Sequence, residues 1–248
     1  MAPGGPDLAW DAEEACANAW PSPRQAVVGG WLLRASGGPT RRVNSVNPLR
    51  GGPTDPTAIL PFAEDFYARQ GRDPVFRVPT LVPAMDAPLA RRGYVAEAET
   101  VTLYAGLAGR AIASPGPVPA APDAAWLAAR RAFAGADDAA MASFRATVDA
   151  IALPRAFVSQ TVDGQVAAIA YGVLSGGLLV IEAVATDPAQ RQRGHARRAV
   201  GRLLDWARTQ GVDAACLQVM ADNPPALGLY AGLGFERELY RYHYRRKG

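Results

Sequence analysis

Hydrophobic positions change their period several times along this chain. Between Gly194 and Gln210 they fall at Val200, Leu203, Leu204 and Ala207, the spacing of a helix with one buried face, and Gly211 stops it. Leu178–Thr186 and Val212–Met220 are instead nearly continuous apolar runs, as strands covered on both faces require. Ala156–Thr161 and Gln165–Leu174 flank Asp163-Gly164, a strong hairpin dipeptide. Helices are predicted at Ala124–Phe133, at Asp138–Ala150 with Asp137 or Asp138 as N-cap, and at Pro224–Leu233 with Asp222 or Asn223 as N-cap. A long strand over Phe235–Arg245 completes the order ααβββαβαβ.

The earlier part of the chain is less regular. Leu8–Trp20 reads as a helix, Gly30–Ala35 and Arg42–Leu49 as strands, and Pro56–Gln70 as a helix. Val75–Val78 (strand), Ala87–Arg92 (helical turn) and Tyr94–Leu107 (long strand) follow, so its later elements repeat the βαβαβ order of the second half. Four prolines between Pro115 and Pro122 cannot continue a helix or a central strand. Two domains are therefore expected, 1–110 and 124–248, joined by a Pro-rich linker over 111–123.

One apolar run, Val166–Ala185, is nearly long enough to cross a membrane. Ser175-Gly176-Gly177 interrupts it and Glu182 lies inside it, so it is read as two buried strands joined by a Gly-Gly turn. Composition adds exclusions more than assignments. The chain of 248 residues is 49% apolar and 20% charged, ordinary for a globular protein, and a net charge of +3 gives no reason to expect nucleic acid. Two cysteines, Cys16 and Cys216, have no metal-ligand spacing and no disulfide framework; each reads as packing, and a cytoplasmic compartment is expected. The N-terminal residues lack the charged and apolar regions of a signal peptide. Alternating aromatic and basic residues over 240–247 fit a half-buried strand with a charged tail.

The chemistry concentrates after the strand Leu178–Thr186. Asp187 to Ala196 is an arginine-rich, glycine-containing turn at a helix start. First-turn amides lack intrahelical acceptors, and the helix dipole adds roughly half a positive charge there. A phosphorylated ligand is expected on residues 191–196. His195 reads as a solvent-facing first-turn residue.

Arg191-Gln192-Arg193-Gly194-His195-Ala196 resembles the Gln/Arg-x-x-Gly-x-Gly/Ala signature of the GCN5-related N-acetyltransferases (GNAT). Asn223-Pro224-Pro225-Ala226-Leu227-Gly228-Leu229-Tyr230-Ala231-Gly232-Leu233-Gly234-Phe235 resembles that family's later Asn-x-x-Ala-x-x-x-Tyr-x-x-x-Gly-Phe motif. The resemblance covers about residues 124–245. It implies an α/β acyl-CoA N-acyltransferase fold, a mixed and mostly antiparallel central sheet with flanking helices, here in tandem. It also implies acetyl transfer from acetyl-coenzyme A to a primary amine by direct attack in a ternary complex, without a metal. In that family the amides of residues 191–196 (Arg191, Gln192, Arg193, Gly194, His195, Ala196) bind the pyrophosphate. The resemblance further implies that Val184, Ala185 and Thr186 offer backbone groups to the pantetheine arm, that Asn223 contacts the cofactor, and that Tyr230 protonates the leaving thiolate. A phenol ordinarily titrates near pH 10, about three units above neutrality, so it is a competent proton donor there.

Two positions bear on the base, Gln218 and Glu182. Members that acetylate ribosomal-protein N-termini carry a Glu where this chain has Gln218, which cannot act as a base. Glu182 is the alternative, a charged residue in an apolar strand, serving as base directly, through water, or as a site for a cationic substrate. In the first half, Arg50-Gly51-Gly52-Pro53-Thr54-Asp55-Pro56 stands where the signature would be and lacks it, and Leu89 stands where the motif's tyrosine would be. That half reads as a degenerate copy that binds no coenzyme A, with residues 31–34 or 41–45 placed to wall the acceptor site. The expected partner is an amine, small or peptidic, with neither nucleic acid nor membrane. The alternative function is a non-catalytic acyl-coenzyme A sensor.

Overall fold

The computed structural model describes residues 6–109, 116 and 118–248. Its strands form one ten-stranded mixed sheet in which the two halves of the chain interleave. The first half supplies β1 (Gln25–Val28), β2 (Trp31–Arg34), β3 (Val46–Pro48), β4 (Val75–Pro79) and β5 (Tyr94–Gly106). The second supplies β6 (Arg155–Val162), β7 (Gln165–Ser175), β8 (Leu178–Thr186), β9 (Ala214–Met220) and β10 (Arg237–Lys247). The spatial order is β1-β2-β3-β4-β10-β5-β9-β8-β7-β6. Thus the last strand of the chain lies between two strands of the first half, and β5 pairs antiparallel with both β9 and β10. The 111–123 segment separates two stretches of sequence whose strands are nonetheless shared in one sheet. Residues 110–115 and 117 lie outside the described residues. Further on, the Pro119 carbonyl accepts from Phe157 N at 2.8 Å, adding a contact along β6.

Two pairs of strands are parallel, β3 with β4 and β8 with β9. Each pair is joined through a helix, as a parallel crossover requires. The first crossover contains α2 (Leu60–Ala68), the second α6 (His195–Thr209). The apolar stripe of α6 behaves as its periodicity predicts: Val200, Leu203, Leu204 and Ala207 are fully buried against β-sheet residues such as Leu179 and Ala215. Burial of each leucine stabilises the pair of layers by roughly 1.5–3 kcal/mol. α7 (Pro224–Ala231) joins α6 on that face, placing Tyr230 beside Leu217 and Phe235. The other face is covered by α1 (Pro6–Ala19), α4 (Ala124–Ala134) and α5 (Asp138–Asp149), which pack over Tyr171, Val180 and Cys216. α3 (Asp86–Arg91) and α2 close a separate core around Phe76 and Tyr94.

The run Val166–Ala185 is the hairpin β7–β8, turned at Gly176 (φ +59°) and Gly177 (φ +80°). No helix among the described residues is long and apolar enough to cross a membrane. Three first-half expectations change. The strand expected over Arg42–Leu49 is reduced to Val46–Pro48, because Asn44 organises the preceding residues as a loop. Its side chain accepts from Ser36 N at 2.9 Å and donates to the carbonyls of Gly38 and Thr40. The helix expected over Pro56–Gln70 starts as a separate 3-10 turn at Pro56–Ala58, capped by Asp55. The edge strand β1 was not expected; Gly29 and Gly30, both at positive φ, turn it back onto β2. That Gly-Gly pair between two apolar runs was the available signal.

Candidate active site

The parallel ladder between β8 and β9 runs from Leu179↔Ala215 to Ile181↔Leu217 and stops there. Beyond it, residues 182–186 pair only with β7, so their other edge is open. A bulge opens it further: the register moves from Tyr171↔Glu182 to Ile169↔Ala185, leaving Ala183 and Val184 opposite Ala170 alone, with Ala183 at φ +51°. Val184, Ala185 and Thr186 are therefore in extended backbone with one edge unpaired to β9, and all three are partly exposed.

The turn after β8 leads to α6, whose N-cap is Gly194 at φ +75° with no side-chain cap. The first-turn amides are consequently unoccupied by the protein. Gln192 is also left-handed, at φ +61°, and residues 191–194 are exposed while Ala196 is partly covered. Arg193 donates to Gln190 Oε1 at 3.0 Å. His195 differs from expectation: it is buried, 6% exposed, with Nδ1 2.6 Å from Arg198 Nη2. It points back into the helix–sheet layer because residues 195, 199 and 203 share one helix face. Arg198 is a site residue that the sequence motifs do not mark. Its guanidinium also donates to Arg193 O at 3.1 Å, lying over the turn. The available signal was two arginines in a first helical turn, where the dipole disfavours cations unless an anion joins them.

Asn223 caps α7, accepting from Ala226 N at 3.3 Å. The same helix carries Tyr230, which is 7% exposed. Burial pushes its phenol well above the ordinary tyrosine value, and the negative charge of Glu182 adds to the shift. Tyr230 and Glu182 thus lie within electrostatic reach, although Tyr230 packs on the α6–α7 face. Glu182 occurs at the end of the β8–β9 ladder and is 4% exposed. Burial raises its pKa, opposed by Arg42, whose Nη1 lies 2.7 Å from Glu182 Oε1.

Arg42 comes from the first half, from the 41–45 segment expected to wall the site. It stacks over Trp20 at 4.7 Å and reaches Gln218 Oε1 at 3.5 Å. Gln218 donates to the Tyr240 hydroxyl and accepts from Tyr242, each at 3.2 Å. Tyr240 in turn donates to Glu13 at 2.5 Å, and Glu13 pairs with Arg77. A polar network therefore joins Glu182 at the mouth of the opened strands to β10 and α1.

Similarity to known proteins agrees with this geometry. The family described as "Probable histone acetyltransferase Rv0428c C-terminal" matches residues 10–245. An uncharacterized N-acetyltransferase of Bacillus subtilis, YobR, is 27% identical over 251 residues, covering 95% of this chain and 97% of that protein. Other relatives match over less: the chain spans 15% of the length of the uncharacterized Mycobacterium leprae protein ML0378, at 47% identity over 57 residues. A GCN5-related N-acetyltransferase from Kribbella flavida shares the fold with a TM-score of 0.67 at 18% identity, over 98% of this chain and 95% of that one. A tandem GNAT protein from the clavulanic acid biosynthesis pathway shares it with a TM-score of 0.57 at 17% identity, over 98% and 94%. With its opened strand pair and glycine-capped helix start, this chain belongs to the GNAT acetyltransferases, within the family described as probable histone acetyltransferase Rv0428c C-terminal.

Proposed function

We propose that the chain transfers an acetyl group from acetyl-coenzyme A to a primary amine by direct attack in a ternary complex. The observation that carries this reading is the end of the β8–β9 ladder at Ile181↔Leu217, which opens a window through the sheet. Uncapped α6 amides lie at one end of the open strand, Tyr230 packs on one face, and Glu182 is held on the other.

In this reaction the pyrophosphate of coenzyme A binds residues 191–196, with the arginines of the turn and Arg198 complementing its charge. The pantetheine arm adds to the open edge of residues 184–186, and Asn223 flanks it while capping α7. The thioester then lies at the window, where its thiolate accepts the Tyr230 proton as it leaves. Burial keeps that phenol protonated, so the donor retains its proton throughout the neutral range. The amine approaches from the Glu182 side and loses a proton to that carboxylate, directly or through water. A carboxylate raised by burial is better matched to this task near neutral pH than an exposed one. Residues 124–248 carry the donor site, and residues 1–110 act as a degenerate copy that contributes Arg42 to the acceptor side.

The test is release of free thiol from acetyl-coenzyme A with an amine panel. Amine-dependent thiol release supports the reading. Binding of acetyl-coenzyme A with no thiol release for any amine returns the sensor reading.

A further inference from the structure

Behind Arg42, on the Glu182 side of the sheet, a cavity of about 440 Å³ lies between the loop after β2 and the helices α4 and α5. That volume suits a small molecule. Its apolar wall is Trp20 and Phe144, with ring centroids 5.7 Å apart. Trp20 is also the ring on which Arg42 stacks, so this one side chain stands between the cavity and the Arg42–Glu182 ion pair, neither member of which lines the cavity.

The charge of this cavity is unusual. Arg130 on α4 places its guanidinium over the Phe144 ring at 5.0 Å. Its Nε is buried with no hydrogen-bond partner, and it has no ion pair among the described residues. Arg34, Arg77 and Arg208 also have a buried Nε without a partner, yet each finds another acceptor, as Arg208 does in Asp213. Arg42 has Glu182, Arg77 has Glu13, and Arg34 has the carbonyls of Ala17 and Trp20. Burial lowers the pKa of Arg130, and the charge of Arg42 acts in the same direction. Arg72, which also lines the cavity, donates to the carbonyls of Gly37 at 2.6 Å and Gly38 at 2.8 Å and has no ion pair among the described residues. The acidic lining residue, Asp137, is engaged as the N-cap of α5, accepting from Ala140 N at 2.8 Å. An unpaired guanidinium in a half-buried site costs free energy that an anionic ligand offsets.

We infer that the acceptor amine carries a carboxylate, and that Arg130, with Arg72, binds it in this cavity while the amine points toward Glu182. This rests on the acetyl-transfer reading and adds its substrate class. A planar guanidinium matches a carboxylate in two-point geometry, and the aromatic wall accommodates the intervening methylenes. A polybasic peptide, such as a histone tail, brings like charges to Arg42, Arg72 and Arg130 and is disfavoured.

The experiment uses glycine, β-alanine, 4-aminobutyrate and 6-aminohexanoate, each paired with its carboxamide, and a lysine-rich peptide. At least one acid is expected to exceed its carboxamide about tenfold in kcat/KM. Arg130→Gln reduces that preference to within about threefold and leaves the carboxamide rate within about threefold, and Arg72→Gln has a smaller effect in the same direction. Circular dichroism melts establish that both variants fold. Carboxamides that match the acids throughout, a preference that survives Arg130→Gln, or faster turnover of the peptide overturns the inference. Calorimetric binding of the N-acetylated acids and carboxamides separates it from the catalytic reading. If no amine is acetylated, that reading fails, yet tighter binding of the N-acetyl acids that is lost in Arg130→Gln still supports the anion site. Equal binding of acids and carboxamides overturns it.

Discussion

The chain builds a parallel strand–turn–helix–strand unit twice, once from β3 to β4 and once from β8 to β9, and the two units differ most at the turn. After β8 the backbone reaches α6 through Gly194, and no side chain caps the helix. After β3 it reaches Pro56 through Asp55, whose carboxylate accepts from Thr57 N at 2.8 Å. Pro56 and Pro61 remove further amide donors at the start of that segment. An Asp-capped 3-10 turn also follows β8, with Asp187 accepting from Ala189 N at 2.9 Å, but Arg191–Gly194 then separate it from α6; in the first unit the turn runs directly into α2, whose N-cap Ile59 also lacks a side-chain cap and whose first turn has Pro61 in place of an amide donor. The downstream helices differ in the same sense. Tyr230 lies within electrostatic reach of Glu182, whereas its counterpart Leu89 is fully buried in an apolar core with Met85 and Phe76. On the proposed reading, a strand–helix scaffold makes an anion site only where the helix start stands clear of the preceding turn, as at Gly194.

The largest expected effect breaks the second turn. Gly194→Glu places a side chain at positive φ and a carboxylate at the helix start, and kcat/KM for acetyl-coenzyme A should fall roughly a thousandfold, ~4 kcal/mol. Thr54→Glu in the matching turn should leave it within about twofold. Comparable losses in both variants would dissolve the contrast. Next, Tyr230→Phe should lower kcat about a hundredfold with little change in KM for acetyl-coenzyme A. Leu89→Tyr should only overpack the first-half core, costing about 1–3 kcal/mol in denaturant titrations. A Tyr230→Phe enzyme at full rate rules that phenol out as the proton donor.

A third prediction concerns what the first half lends to the second. Arg42 opposes the burial-driven rise in the Glu182 pKa. Arg42→Gln should raise that pKa further, so the carboxylate becomes protonated at higher pH as pH falls. The acid limb of kcat/KM should then move to higher pH. An unmoved limb, or one displaced downward, rejects Glu182 as the group that titrates there. The smallest effect is structural: Asp55→Ala should cost about 1 kcal/mol through loss of the cap and should create no second donor site, since Pro56 and Pro61 still lack amides.

Much of the second half was legible because its signals are local. The 3.6-residue stripe of α6, the Asp163-Gly164 and Gly176-Gly177 hairpins, and the paired glycine and tyrosine motifs each act within a few residues, and the elements form where they indicate. The strand exchange was not legible. Nothing in the pattern of β5 or β10 states which neighbour it takes, and each end strand satisfies its ladder against the other half. The burial of His195 is hidden for a related reason. Its exposure depends on which face of α6 meets the sheet, and that face includes position 195. The contacts of Arg42 and Arg130 were hidden by distance along the chain: Glu182 lies 140 positions from Arg42, and Phe144 lies 14 positions from Arg130.

The central claim is that two similar units share one donor site. Calorimetric titration of the intact chain with acetyl-coenzyme A tests it most directly. One site per chain is predicted, abolished by Gly194→Glu and retained in Thr54→Glu. Two sites per chain, or binding that survives Gly194→Glu, would contradict it.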